Sequence, residues 1–306
     1  MGRVRFLRRI ALPLSILLII LFMHVPVMAV THTFETVDYP EAYDTEANAI
    51  NKHGQIVGTY YGETICIPNP SGGEDFCAVS RFGFLKNKSI FSTIEYPGTP
   101  VIAPWTEVWG VNASGQVVGT YWNESGWNGF LKDGDSFTSI EYGGASNTQC
   151  FGINDDGQIV GFYNTGVWHG FLKKGQAFIT IDYPGALWTI ARGINNSGQI
   201  VGTYGDGTTN HGFLKRGATF MTIDYPETNE EFFTEVSGIN DSGQIVGNYC
   251  NVSTCHGFLK DGETFISIDY PGAAWTQARG INKDGQIVGS CGIGATTHGF
   301  LAKPQK

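Results

Sequence analysis

Four histidines, His169, His211, His256 and His298, each open the same motif, His-Gly-Phe-Leu. The next apolar run after each of the first three ends in an acid: Asp182, Asp224 and Asp269. A histidine beside a carboxylate is a pairing used in general acid–base chemistry. Several histidines together could hold zinc, which needs three or four donors at bonding distance. The spacing argues against both. Each pair sits in its own copy of a repeat, too far from the next to share an ion, so a scaffolding hydrogen bond to the adjacent strand is the expected role.

A second set of polar residues follows a threonine present in every copy: Thr45, Thr106, Thr148, Thr189, Thr234 and Thr276. Behind them stand Glu46, Glu107, Gln149, Ile190, Glu235 and Gln277. Gathered at one mouth, three carboxylates could bind a hard cation such as Ca²⁺; dispersed, they form a solvated polar funnel. No other cofactor is implied. Asn154-Asp-Asp-Gly157 is an Asp-rich turn without the ligand ladder of an EF-hand. The chain has no nucleophile elbow, phosphate loop, dinucleotide fingerprint or metalloprotease helix.

The elements that position these residues are strands. An Ile/Val-Asn pair recurs at 50–51, 111–112, 153–154, 194–195, 239–240 and 281–282. A period in the low forties signals a propeller or solenoid. Each copy divides into Thr-x-small-x-Gly-Ile-Asn, a polar turn closed by glycine, Gln-Ile-Val-Gly-x-Tyr, a variable loop, Gly-Phe-Leu-Lys, a second turn, and Phe-x-Thr-Ile-Asp-Tyr-Pro. Glycine suits a hairpin turn that needs positive φ, and β-branched centres suit strands. The expectation is an all-β, six-bladed β-propeller with four-stranded blades.

Closure follows from the ends. Residues 34–40 form a spare fourth strand, and the last copy stops at its third, Gly299–Ala302. Pairing the two completes blade six and removes exposed edges. The first strand should be innermost, where blades converge, because it carries small residues at 47, 108, 150, 191, 236 and 278 and again at 49, 110, 152, 193, 238 and 280. The loops from strand four to one and from strand two to three then share one face. On that face fall Trp105, Trp188, Trp275 and Phe233 at one equivalent position, and Trp122, Trp127 and Trp168 in the other loops. Tryptophan offers a flat apolar surface with a polar handle, suited to sugars; alternatively these rings cap the tops of neighbouring blades.

The repeated His-Gly-Phe-Leu-Lys and Gly-Ile-Asn-x-x-Gly-Gln-Ile-Val-Gly resemble the HAF family of extracellular repeats, over nearly all of residues 33–302. Blades one and two depart from the histidine motif, with Phe82 and Asn128 in its place. The resemblance implies an exported, often bacterial, β-repeat protein and supplies no catalytic residue.

Residues 1–29 read as a signal peptide: four arginines, an apolar run from Ile10 to Met23, and Val27-Met28-Ala29 as a cleavage site. An uncleaved anchor is the alternative. The domain is then 30–306, with 15 basic against 28 acidic residues, a net charge of −13. That balance disfavours nucleic acid and any membrane contact beyond such an anchor. Export permits disulfides: Cys66 with Cys77 around an insertion, Cys250 with Cys255 at a hairpin apex, and Cys150 and Cys291 free and buried. Six Asn-x-Ser triplets, at 87, 112, 123, 195, 240 and 251, match glycosylation or simply repeat a turn. The expected function is a secreted or cell-surface, monomeric, non-catalytic module binding carbohydrate or an extracellular macromolecule. The alternatives are a glycan hydrolase or lyase using mouth carboxylates, and a structural or adhesion scaffold.

Overall fold

The computed structural model describes residues 31–69, 72–100, 104–226 and 233–305; the signal segment lies outside them. The chain starts with β1 (His32–Thr36). Blade one is β2 (Thr45–Ile50), β3 (Ile56–Ile67), β4 (Phe76–Asn87) and β5 (Ile90–Ile94). Blade two is β6 (Thr106–Val111), β7 (Val117–Asn123), β8 (Gly126–Asp133) and β9 (Ser136–Ile140). Blade three is β10 (Asn147–Ile153), β11 (Ile159–Asn164), β12 (Trp168–Lys174) and β13 (Ala177–Ile181). Blade four is β14 (Trp188–Ile194), β15 (Ile200–Gly205), β16 (Asn210–Arg216) and β17 (Thr219–Ile223). Blade five is β18 (Phe233–Ile239), β19 (Ile245–Cys250), β20 (Cys255–Asp261) and β21 (Thr264–Ile268). Blade six is β22 (Trp275–Ile281), β23 (Ile287–Ile293) and β24 (Thr296–Pro304), completed by β1.

The ring closes as the spare strand requires. β1 runs antiparallel to β24, with Phe34 opposite Ala302 and Thr36 opposite Phe300. Beyond the strand, Val37 N donates to Gly299 O at 2.8 Å. The first strand of each blade is innermost, as its small residues demand. A Cβ on Gly152 would stand 2.8 Å from Arg192 O and 3.2 Å from Gly193 Cα, so neighbouring inner strands meet backbone to backbone. The turns closing the inner hairpins place Gly54, Gly115, Gly157, Gly198, Gly243 and Gly285 at φ between 71° and 85°.

The core is distributed over six junctions between blades. Each junction buries the third-strand phenylalanine of one blade (Phe84, Phe130, Phe171, Phe213, Phe258 or Phe300) beside the second-strand valine of the blade before it. Burying one such ring contributes about 1.5–3 kcal/mol. At five junctions two tyrosines stack across the gap, Tyr183 on Tyr204 at 3.7 Å for example. In blade six the stacking position on the second strand is Cys291, which is buried and free.

The recurring threonines hold this frame. In every blade the threonine hydroxyl accepts the backbone N–H of the tyrosine just beyond the preceding fourth strand, from Tyr39 N to Thr45 through Tyr270 N to Thr276. This bond sets where each loop enters the inner strand.

Candidate functional site

The central channel is lined by the inner strands, and each of these carries a β-bulge. Cys150 pairs with Gly161 and Gly152 with Val160, so Phe151 is one residue more than its partner strand can match. The same shift occurs in all six blades. A bulge re-aims a side chain and is favoured beside functional sites. Here the extra residues are Asn48, Trp109, Phe151, Arg192, Ser237 and Arg279, and all six line one chamber of about 230 Å³. The repeat is otherwise uniform here; these six are not.

Below them, Ile50, Val111, Ile153, Ile194, Ile239 and Ile281 form an apolar girdle shared with a second chamber of about 90 Å³. That lower chamber is ringed by Asn51, Asn112, Asn154, Asn195, Asn240 and Asn282. Each asparagine donates from Nδ2 to the backbone carbonyl of the next one round, at 2.9–3.3 Å, and Asn282 returns to Asn51. Each Oδ1 accepts the N–H of the glutamine four residues on. Both ends of every amide are satisfied, which leaves this ring little to offer a ligand.

The upper chamber is electrostatically mixed. Only four arginines lie beyond residue 29, and three of them stand at this mouth. Arg279 donates to Glu46 and Asn48 at 2.6 Å and to Gln277 at 2.9 Å. Arg81 donates to Glu107 at 2.9 Å and lies 4.0 Å over the Trp105 ring; Trp105 Nε1 donates to the same carboxylate oxygen. These two clusters are closed. A third is open: Arg192 reaches Glu235 only at 4.0 Å, its Nε is buried without a hydrogen-bond partner, and so is Asn248 Oδ1. Asn248, 3 % exposed, stands opposite Glu235 across the hairpin.

Adjoining the open cluster is an apolar wall. Phe151, Phe162 and Ile190 are buried together, with Trp109 and Trp188 packed against them. Trp109 meets Phe151 edge to face at 5.4 Å, and Trp168 lies 5.7 Å from both Phe162 and Trp188. Aromatic surface therefore runs from the chamber out to Trp168, which is 43 % exposed.

No protein-family model matches the chain, and no curated protein matches it. Solved structures do. The β-propeller domain of the Trilobed protease from Pyrococcus furiosus, described as having an open velcro topology, aligns with a TM-score of 0.51. The alignment is 12 % identical and covers 86 % of this chain and 95 % of that one. Trypanosoma rangeli sialidase aligns with a TM-score of 0.49 at 11 % identity, over 90 % of this chain and 55 % of that one. At these identities the likeness is one of fold.

The expected rim aromatics separate into groups. Trp168 and Trp188 join the wall. Trp105 and Trp127 pack edge to face at 4.9 Å beside the Arg81–Glu107 pair. Trp122 pairs with Trp127 across their hairpin and is 38 % exposed. Trp188 and Trp275 lie flat over Gly205 and Gly292, where an added Cβ would strike the indole at 2.3 and 2.2 Å; both therefore also cap their own blades. Phe233 sits opposite Cys250, beside a disulfide. Of the expected mouth residues, Glu235 and Gln277 line the chamber. Glu46 reaches it through Arg279, Glu107 is held by Arg81, and Gln149 stands opposite Phe162. Among the described residues no three His, Cys, Asp or Glu side chains come together as a metal site.

The histidines pair with acids as expected: His169 with Asp182, His211 with Asp224, His256 with Asp269, and His298 with Asp38 of β1's extension, at 3.0–3.1 Å. Phe82 substitutes by stacking on Tyr60, and Asn128 by bonding Asn123 and Gly126. Cys66–Cys77 and Cys250–Cys255 are disulfides, and Cys150 is buried and free like Cys291. Burial pushes the Cys150 thiol far up and that of Cys291 up to about 12, so both are inert at neutral pH. Asn112, Asn195 and Asn240 are spent in the asparagine ring, which removes three of the six glycosylation triplets.

Sequence reasoning passed over the six bulge residues, and with them Arg81, Phe162 and Asn248. The signal was there: one varying residue between two small ones in an otherwise repeated strand.

Proposed function

We propose that this propeller is an extracellular, non-catalytic binding module that holds a glycan at the upper mouth of its channel. The observation carrying this reading is the chamber itself, in which the aromatic rings of Trp109 and Phe151 line the same space as polar groups with unfilled hydrogen bonds. Concave sites of that composition are where ligands bind, and an apolar face opposite polar edges matches a sugar ring. Two disulfides fit an oxidising compartment, and among the described residues no helix is long and apolar enough to cross a membrane. The resemblance of the repeats to the HAF family supports export in the same sense. A non-catalytic role is favoured by the carboxylates: Glu46 and Glu107 are each tied to a guanidinium, which leaves Glu235 without a free partner acid for two-carboxylate hydrolysis.

The test is a glycan array probed with the purified protein, followed by titration of the best oligosaccharide. Trp168→Ala removes an exposed ring and should weaken binding about tenfold, on the order of 1–3 kcal/mol as for an aromatic hot spot. Undiminished binding by that variant, or silence across the array, would remove the proposal.

A further inference from the structure

The open cluster specifies more than a sugar. Building on the reading above, we infer that Arg192, Glu235, Asn248 and Trp109 form a polar subsite for a neutral pyranose presenting a vicinal diol, and not for an acidic or amino sugar. The inference comes from counting what each group lacks. Arg192 Nε and Trp109 Nε1 are buried donors without acceptors. Asn248 Oδ1 is a buried acceptor without a donor, and the nearest cation to Glu235 is Arg192 at 4.0 Å. All four side chains line the same chamber. The subsite thus wants acceptors and donors in equal measure, and adjacent hydroxyls supply both, since each accepts one hydrogen bond and donates another.

Charged ligands fail on one side of that count. A uronate carboxylate only accepts, so seated in place of the diol it would answer Arg192 and Trp109 and leave Asn248 unfilled, and a uronate that entered by its hydroxyls would still bring that charge into the small chamber beside Glu235. An ammonium group only donates, so it would answer Glu235 and Asn248 and be repelled by Arg192. The acid–base balance of the mouth, Glu46, Glu107 and Glu235 against Arg81, Arg192 and Arg279, leaves no net charge to favour either. A buried polar site left partly unpaired discriminates strongly against the ligand that fails to fill it. The chamber, at about 230 Å³, falls below the usual range for drug-sized ligands. One terminal sugar ring would therefore enter, against Phe151 and Trp109, with the rest of the chain lying outward along Trp188 and Trp168.

The full-length protein is titrated by calorimetry with β-mannotetraose and β-galactotetraose, with tetramannuronate and tetragalacturonate, and with the glucosamine tetramer. At least one neutral tetramer should bind ten times or more tighter than its uronate counterpart and the amino sugar. Replacing either hydroxyl of the terminal diol by hydrogen should cost a further tenfold, a readout that needs no protein variant. Glu235→Gln should lose about tenfold for the neutral ligand, whereas Asp156→Asn on the opposite face should change nothing. Tighter binding of a uronate or amino sugar, or indifference to deoxygenation or to Glu235→Gln, overturns the diol assignment. In those cases binding that still depends on Trp168 leaves the glycan reading standing. If no tetramer binds and the array is silent, both fall together.

Discussion

The two ends of the channel are built from the same six inner strands and could hardly differ more. At the lower end every blade contributes an asparagine, and the six amides close on one another. At the upper end the six bulge residues are an amide, two aromatics, two guanidiniums and a hydroxyl. The backbone is common to both, so the difference lies in what the side chains are asked to do. An asparagine that bonds its own turn and the next blade cannot change without damage on both sides. A bulged residue is released from the ladder, so its replacement leaves the register of the strand in place. The lower ring therefore holds the blades together, and the upper ring is free to specify a ligand.

The sharpest way to break this comparison is to remove what both ends depend on. Deleting residues 31–37 strips β1 from β24 and leaves blade six with three strands and an exposed edge. The expected result is loss of the cooperative thermal transition by circular dichroism, and an unchanged melting curve would refute ring closure. The next test sets the ends against each other. Asn195→Ala removes the bond to Asn240 O and orphans the N–H of Gln199, which should cost about 2 kcal/mol. Arg192→Ala, three residues earlier in the chain, should stay within about 0.5 kcal/mol. Urea unfolding of the two variants reads the contrast directly; equal losses would mean that the upper residues are structural after all.

The smallest effect is on pH dependence and bears on the junctions between blades. Burial pushes the phenols of Tyr60, Tyr121 and Tyr204 up to about 12 from an ordinary 10. Because the folded chain holds these protons more tightly than the unfolded one, their contribution is complete below pH 10 and is lost as the pH rises toward 12. Melting temperatures should be flat up to about pH 9 and fall progressively above 10. Absorbance of phenolate at the same pH should lag behind that of the denatured protein.

The frame was legible in the sequence because it repeats. Six copies of Ile/Val-Asn and of Gly-Phe-Leu fix strand number, blade number and the innermost strand, and the spare strand at 34–40 fixes closure. The disulfides were legible from the hairpins they bridge. The candidate site was only partly so. Glu235, Gln277 and Trp188 were in view because their positions could be lined up between copies, and Trp168 because it is a tryptophan in a loop on the same face. Arg192 and Trp109 were hidden by the same habit of reading, since alignment draws the eye to what recurs and these positions do not. Nor does a linear sequence show that Arg81, from the third strand of blade one, crosses to neutralise Glu107 in blade two.

Ring closure also has a consequence for assembly. Phe34 and Ala302 are separated by 268 residues, so β1 is made early and has no partner until the final blade has emerged. Closing so long a loop is entropically costly and slow. Throughout that interval two chains at high concentration could each lend β1 to the other, satisfying every hydrogen bond of blade six in a swapped dimer. The strand that seals the ring is thus also the one most able to join two molecules, and dilution during refolding is what favours the single ring.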